Sequence, residues 1–247
     1  MDLLREIYGV LEGELRESTI SDLAVSFPYT GVLLERDRLG VCYTVLEGRS
    51  AERTPPPGGA RGRRADELAR LAFSPTGVES SIGVATLSAA ADPGEYRLAD
   101  PLDEVDLRPD DRVCVLGGFP QPYLDRIRAA VAELWVLERP PKISRGVHPD
   151  WAVEELAPRC TVLLATGSTI PNKTLERALE LSSDARERIV VGPSVPLVPE
   201  PFQARGVTVL AGVRFTDPHS AMRVVAEGGG TRDLRPYSEK ALIRLRR

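Results

Sequence analysis

Lysine and histidine are scarce: Lys142, Lys173 and Lys240 stand against 29 arginines, and His148 and His219 are the only imidazoles in 247 residues. Neither histidine belongs to an H-x-x-H pair, and Cys42, Cys114 and Cys160 form no C-x-x-C, so no compact nitrogen or sulfur metal site is written locally. An odd number of widely spaced cysteines also excludes a disulfide framework; they read as small buried hydrophobes in a reducing compartment. Long apolar runs are missing too, since nothing reaches the roughly 18 residues of a membrane span. A basic excess is absent, with 32 basic and 36 acidic side chains and a net charge of −4. Neither a nucleic acid nor a membrane is therefore expected as a partner. Met1-Asp2-Leu3-Leu4-Arg5-Glu6 carries charge where a secretory signal needs an apolar stretch, so the expected location is cytoplasmic.

What is present is a globular composition, 42% hydrophobic and 28% charged, in a length that suits one large domain or two modest ones. Leu3, Leu4, Ile7, Tyr8, Leu11 and Leu15 recur at helical spacing and predict an opening amphipathic helix. Ile20 to Phe27, Gly31 to Glu35 and Leu39 to Leu46 follow as strands whose short connections favour an antiparallel meander. The stretch from Thr54 to Arg64, rich in Pro and Gly, reads as a mobile surface loop. Helices are expected at Ala65 to Ala72 and Val78 to Ala91; the small side chains of the second would let another backbone approach closely. Residues 96–111 have the proline and acidic content of a linker.

Beyond it the pattern changes to short apolar strands alternating with helices. Strands are expected at Arg112 to Leu116, Leu134 to Leu137, Thr161 to Ala165, Arg188 to Val191 and Val207 to Ala211. Between and after them, helices are expected at Gln121 to Ala132, Trp151 to Leu156, Lys173 to Leu181 and Pro218 to Glu227. That alternation predicts an α/β chain: an α+β unit over 1–95, then a Rossmann-like, doubly wound parallel sheet over 112–247.

In such a sheet ligands bind in the loops after the strands. Gly117, Gly118 and Phe119 follow the first, allowing a tight turn and close backbone approach, although Pro120 and Pro122 remove amide donors and the full G-x-G-x-x-G is missing. Glu138 stands 21 positions beyond Gly117, about where a ribose-binding carboxylate falls in dinucleotide folds; a surface carboxylate beside Arg139 is the equal alternative. The loop Thr166, Gly167, Ser168, Thr169, Asn172, Lys173 and Thr174 concentrates hydroxyl and amide groups before a helix. One helix cap needs one such residue, so this richness points to a polar or anionic ligand. Gly192, Pro193 and Ser194 lie in the same row, whereas Gly212 to Pro218 reads as structural, with Asp217 as a helix cap. Ser168 and Ser194 are in no G-x-S-x-G, and neither histidine can be set beside them. Arg53, Arg61, Arg63 and Arg64 could clamp an anion or form a solvated cluster.

The order of these segments resembles the two-domain family named for a proposed role in heavy-metal chelation. The resemblance runs through Val115-Leu116-Gly117-Gly118-Phe119-Pro120, Glu138-Arg139, Thr166-Gly167-Ser168-Thr169 with Asn172 and Thr174, Gly192-Pro193-Ser194, Asp217 and Glu227-Gly228-Gly229. Gly40-Val41-Cys42-Tyr43-Thr44 and Ile82-Gly83-Val84-Ala85-Thr86 carry it in the first half. It implies an enolase-N-like α+β domain ahead of the Rossmann-like one and a ligand in the cleft between them, with Tyr43 and Thr44 or the arginine loop closing it. Where the family has glycine this chain has Lys173, which sets a cation beside the cleft and favours an anionic ligand.

The expectation is thus a small polar or anionic molecule held by Gly117, Gly118, Phe119, Glu138, Thr166 to Thr169, Asn172, Thr174, Gly192 to Ser194, Tyr43 and Thr44. A divalent metal or metal chelate is the cofactor that the resemblance implies. Two other readings stay open: an enzyme using a dinucleotide or adenosyl cofactor, and a homo-oligomeric scaffold or metal store whose loops form the interface.

Overall fold

The computed structural model describes residues 2–48, 55–139 and 146–246. Helix α1 (Asp2–Glu17) buries all six apolar residues of its stripe. Each such side chain contributes about 1.5–3 kcal/mol relative to exposure. Strands β1 (Ile20–Val25), β2 (Tyr29–Leu34) and β3 (Arg38–Tyr43) form the antiparallel meander, with Val32 opposite Gly40. β3 stops at Tyr43 rather than Leu46 because Thr44 turns inward, its hydroxyl donating to Ser26 O at 2.6 Å and bonding to Thr30 Oγ1 at 2.9 Å. The connection from Pro55 to Arg64 holds no helix or strand, yet it is anchored: Ala60 is buried, and Ile20 and Gly62 exchange bonds with Arg63 O and Ile20 O.

Helices α2 (Ala65–Ala69) and α3 (Gly77–Ala90) cover the meander, and α3 is buried on nearly every side, as its small apolar composition requires. The expected close approach is present. A Cβ on Gly83 would lie 1.8 Å from Ala72 N, and one on Gly40 would lie 2.1 Å from Ala85 O, so α3 meets both the turn after α2 and β3 backbone to backbone.

Residues 96–111 cross to the second sheet with Leu102 and Val105 buried beside Val113, Val115, Leu124 and Ile127, while Leu98 is exposed. The second sheet begins with β4 (Arg112–Leu116), α4 (Gln121–Ala130) and β5 (Glu133–Glu138). It continues through β6 (Val147–Pro149), α5 (Val153–Leu156), β7 (Val162–Thr166), α6 (Leu175–Leu181) and β8 (Glu187–Val191). Last come α7 (Pro199–Gln203), β9 (Val209–Phe215), α8 (Pro218–Ala226), α9 (Thr231–Leu234) and β10 (Ser238–Arg244).

The strand order is β10-β9-β8-β7-β4-β5-β6, parallel except for β10 against β9. From β4 the chain builds outward to β6, returns to β7 and builds the other way, so β4 and β7 flank the switch point at which a crevice opens. β9 runs farther than expected, and Gly212 to Phe215, read as loop, pair with β10. Asp217 caps α8 as expected, its carboxylate accepting from Ser220 N at 3.0 Å. Among the described residues, no helix is long and apolar enough to cross a membrane.

Candidate functional site

The carboxyl ends of the parallel strands face the meander across a cavity of about 1320 Å³. Gly117, Gly118, Phe119, Glu138, Thr166, Gly167, Ser168, Thr169, Asn172, Thr174, Gly192, Pro193 and Ser194 line it from the second sheet, and Tyr43 and Thr44 line it from β3. Gly117 turns out of β4 at φ +87 and donates to Leu137 O at 2.9 Å; a Cβ there would lie 2.2 Å from Thr166 Oγ1. The loops on the two sides of the switch point therefore touch, and glycine at 117 lets them.

The hydroxyl-rich loop is bonded mostly to itself. Thr166 Oγ1 and Ser168 Oγ are 2.6 Å apart, Thr169 Oγ1 donates to Thr166 O at 2.6 Å, and Asn172 Oδ1 accepts from Thr174 N at 3.1 Å and Thr174 Oγ1 at 2.7 Å. Asn172 thus closes a local turn ahead of α6, leaving its side-chain NH₂ without a partner among the described residues. Ser194, 2% exposed, accepts from Tyr43 N at 2.8 Å and ties the β8 loop to β3. Phe27 packs edge-on against Tyr43, with ring centroids 5.9 Å apart, and is itself half exposed at the cavity mouth beside Leu46.

Two expectations about cations are corrected. Lys173 is not on the cavity wall: at φ +67 the chain reverses and its ammonium bonds to Ala72 O and, at 2.5 Å, to Ser80 Oγ. Ser80 in turn donates to Pro171 O at 2.8 Å, so the lysine fastens this loop to α3. Burial pushes its pKa down to about 8 despite these bonds. The arginine loop does not close the cavity either, because Arg63 bonds to Gly59 O and Glu67 and Arg64 to Asp66, while Arg61 also lies off the wall. Arg53 lies outside the described residues.

Among the described residues, the cations that do line the cavity are Arg139, Arg232, Arg235 and Lys240. Arg139 pairs with Asp150 at 2.9 Å and Glu47 at 3.6 Å, and Lys240 pairs with Asp100 at 2.6 Å. Burial alone would raise the Asp100 carboxyl, but hydrogen bonds from Lys240, Tyr123 and the Leu102 amide hold it below the usual range. Arg232 and Arg235 carry no ion pair among the described residues, and α9 is held to the meander by Tyr29 OH and Thr231 Oγ1, 2.7 Å apart. Only the glycine run before α9 hinted at this wall in the sequence.

Residues 100–244 match the family described as "Putative heavy-metal chelation" (DUF364), and residues 8–91 match a second family model, DUF4213, of the same description. The chain belongs to the DUF364 family. An uncharacterized protein of Methanocaldococcus jannaschii is 26% identical over 227 residues, which span 87% of this chain and 85% of that protein. A DUF364 family protein of unknown function from Pyrococcus horikoshii shares the fold with a TM-score of 0.87 at 23% identity, over 98% of this chain and 100% of that one. Another, from Desulfitobacterium hafniense, has a TM-score of 0.79 at 24% identity, over 97% and 99% of the two chains.

The family description raises the question whether these residues fit a heavy metal directly, and they do not. Soft metals select thiolate and imidazole, and among the described residues the cavity wall has neither. Cys42, Cys114 and Cys160 are buried elsewhere, and burial pushes their thiols up, that of Cys160 to about 11. His219 lies at the surface, 2.8 Å from Asp37. Among the described residues, no group of three or more His, Cys, Asp or Glu side chains could hold a metal ion.

Proposed function

We propose that this protein binds a polar organic molecule in the cavity between its two sheets, and that a metal enters only as a preformed chelate of such a molecule. The donor set of the wall among the described residues carries this reading: glycine backbone, hydroxyls, one amide and ion-paired carboxylates, with no thiol or imidazole. The size supports it as well. About 1320 Å³ exceeds the roughly 300–1,000 Å³ of common small-molecule pockets and far exceeds what a bare ion occupies. Within the cavity, Asn172 would donate its side-chain NH₂, Gly118 would allow close approach, and Arg232 and Arg235 would meet acidic groups of the ligand.

A melting-temperature panel on chelator-stripped protein tests it, with zinc ion, zinc citrate, citrate and sulfate as probes. A ligand at about 100 times its Kd stabilises by roughly 2.7 kcal/mol, a shift of about 5–10 °C for a chain of this size. The expected result is a shift with zinc citrate or citrate that Asn172→Ala and Arg232→Ala reduce without loss of fold. A shift with zinc ion alone, unaffected by either substitution, would overturn it.

A further inference from the structure

One corner of the cavity mouth joins an aromatic ring to two guanidinium groups. The run Gly228-Gly229-Gly230 that leads into α9 lies on the Phe27-Pro28 segment: a Cβ on Gly228 would be 3.3 Å from Phe27 O, and one on Gly230 would be 4.0 Å from Pro28 Cγ. Tyr29 OH and Thr231 Oγ1, 2.7 Å apart, close the same contact. Phe27, 52% exposed and fixed edge-on by Tyr43, therefore stands beside the segment that carries Arg232 and Arg235. An apolar ring held open at the rim of a cavity gains most when a ligand covers it.

The two arginines lie three residues apart on consecutive helical turns, so their like charges share a face and repel. The neighbouring carboxylates are engaged elsewhere: Asp233 accepts from Gly230 N at 2.8 Å, and Glu239 accepts from Tyr96 OH at 2.7 Å and Arg214 at 3.1 Å. A ligand carboxylate would relieve that repulsion, because guanidinium offers it two parallel N–H donors. From this corner inward the wall is apolar, with Leu116, Leu164, Val191 and Ala211 facing the cavity. A purely polar acid would leave that surface and the Phe27 ring uncovered. We infer that this corner selects an aromatic carboxylate, its ring against Phe27 and its carboxylate on Arg232 and Arg235. This names the ligand class of the cavity described above and rests on that reading.

Calorimetric titration of the whole protein with 2-naphthoate, its uncharged amide 2-naphthamide and its saturated analogue decahydronaphthalene-2-carboxylate separates the two contacts. The aromatic acid should bind about 10-fold or more tightly than the amide, which loses the charge-assisted hydrogen bonds. It should bind about 3-fold or more tightly than the saturated acid, the margin that ring against ring adds to buried area. Replacing both arginines, Arg232→Gln with Arg235→Gln, should remove the first preference and Phe27→Leu the second, while circular dichroism stays unchanged and the Tm of the free protein does not fall. Equal binding of 2-naphthoate and either analogue, or a preference that survives its substitution, overturns the assignment. If Phe27→Leu instead lowers the sedimentation coefficient of the free protein, the ring belongs to an interface between copies of the chain and the assignment falls as well. If zinc citrate still shifts the melting temperature while the three probes bind alike, the aromatic-acid corner falls and the cavity reading stands.

Discussion

On the β7 and β8 side of the cavity, hydroxyl groups bond to one another and to the meander; on the α9 side, the Arg232 and Arg235 guanidinium groups carry no ion pair among the described residues. Thr166, Ser168, Thr169 and Thr174 all have partners within their own loop, and Ser194 serves Tyr43 N. Across the cavity stand Arg232 and Arg235. A dense run of polar residues can therefore be a wall that holds two sheets together; under the proposed function, recognition falls to a few charged groups brought in from distant segments.

The comparison is broken most severely where the two sides touch. Gly117→Ala should cost about 2–4 kcal/mol, because it combines a positive φ with a Cβ 2.2 Å from Thr166 Oγ1, and urea denaturation measures it. Ser194→Ala should cost about 1–3 kcal/mol, since it leaves the Tyr43 amide without its acceptor, and should affect ligand binding less than Arg232→Ala does. If Ser194→Ala abolished binding at unchanged stability, the holding wall would be a recognition wall.

Lys173 sharpens the contrast through pH. Its pKa is about 8 when folded and 10.5 when unfolded, so between those values the unfolded chain holds more protons. Its contribution to stability therefore rises from about pH 8 to 10.5 and is level outside that window. The buried thiols act in the opposite sense, so the measurement is the difference between wild type and Lys173→Met across pH 7–11. A flat difference would mean that this lysine does not fasten the loop through a buried ammonium. Smallest of all, Arg63→Gln should change stability by no more than about 0.5 kcal/mol and leave binding unchanged, because its partners are surface groups.

Much of the fold was legible in the residues. Helical spacing marked α1, short connections marked the meander, and apolar runs marked β4, β5, β7 and β8. β10 escaped because Ser238-Glu239-Lys240-Ala241-Leu242-Ile243-Arg244 is an edge strand with charges at both ends. β6 escaped because three residues give no pattern, and α7 and α9 are too short to show a helical period. Within the site, the glycine pair and the carboxylate 21 positions later were readable as spacing. The direction of Lys173 was not, since it follows from one backbone angle, nor was the approach of α9 to the meander, which depends on a contact between Tyr29 and Thr231.

Equilibrium dialysis of chelator-stripped protein against zinc ion alone and against zinc citrate tests the central claim most directly. Saturable uptake of the complex is expected, with no stoichiometric uptake of the free ion. One equivalent of zinc retained from the free ion, with none gained from the complex, would contradict it.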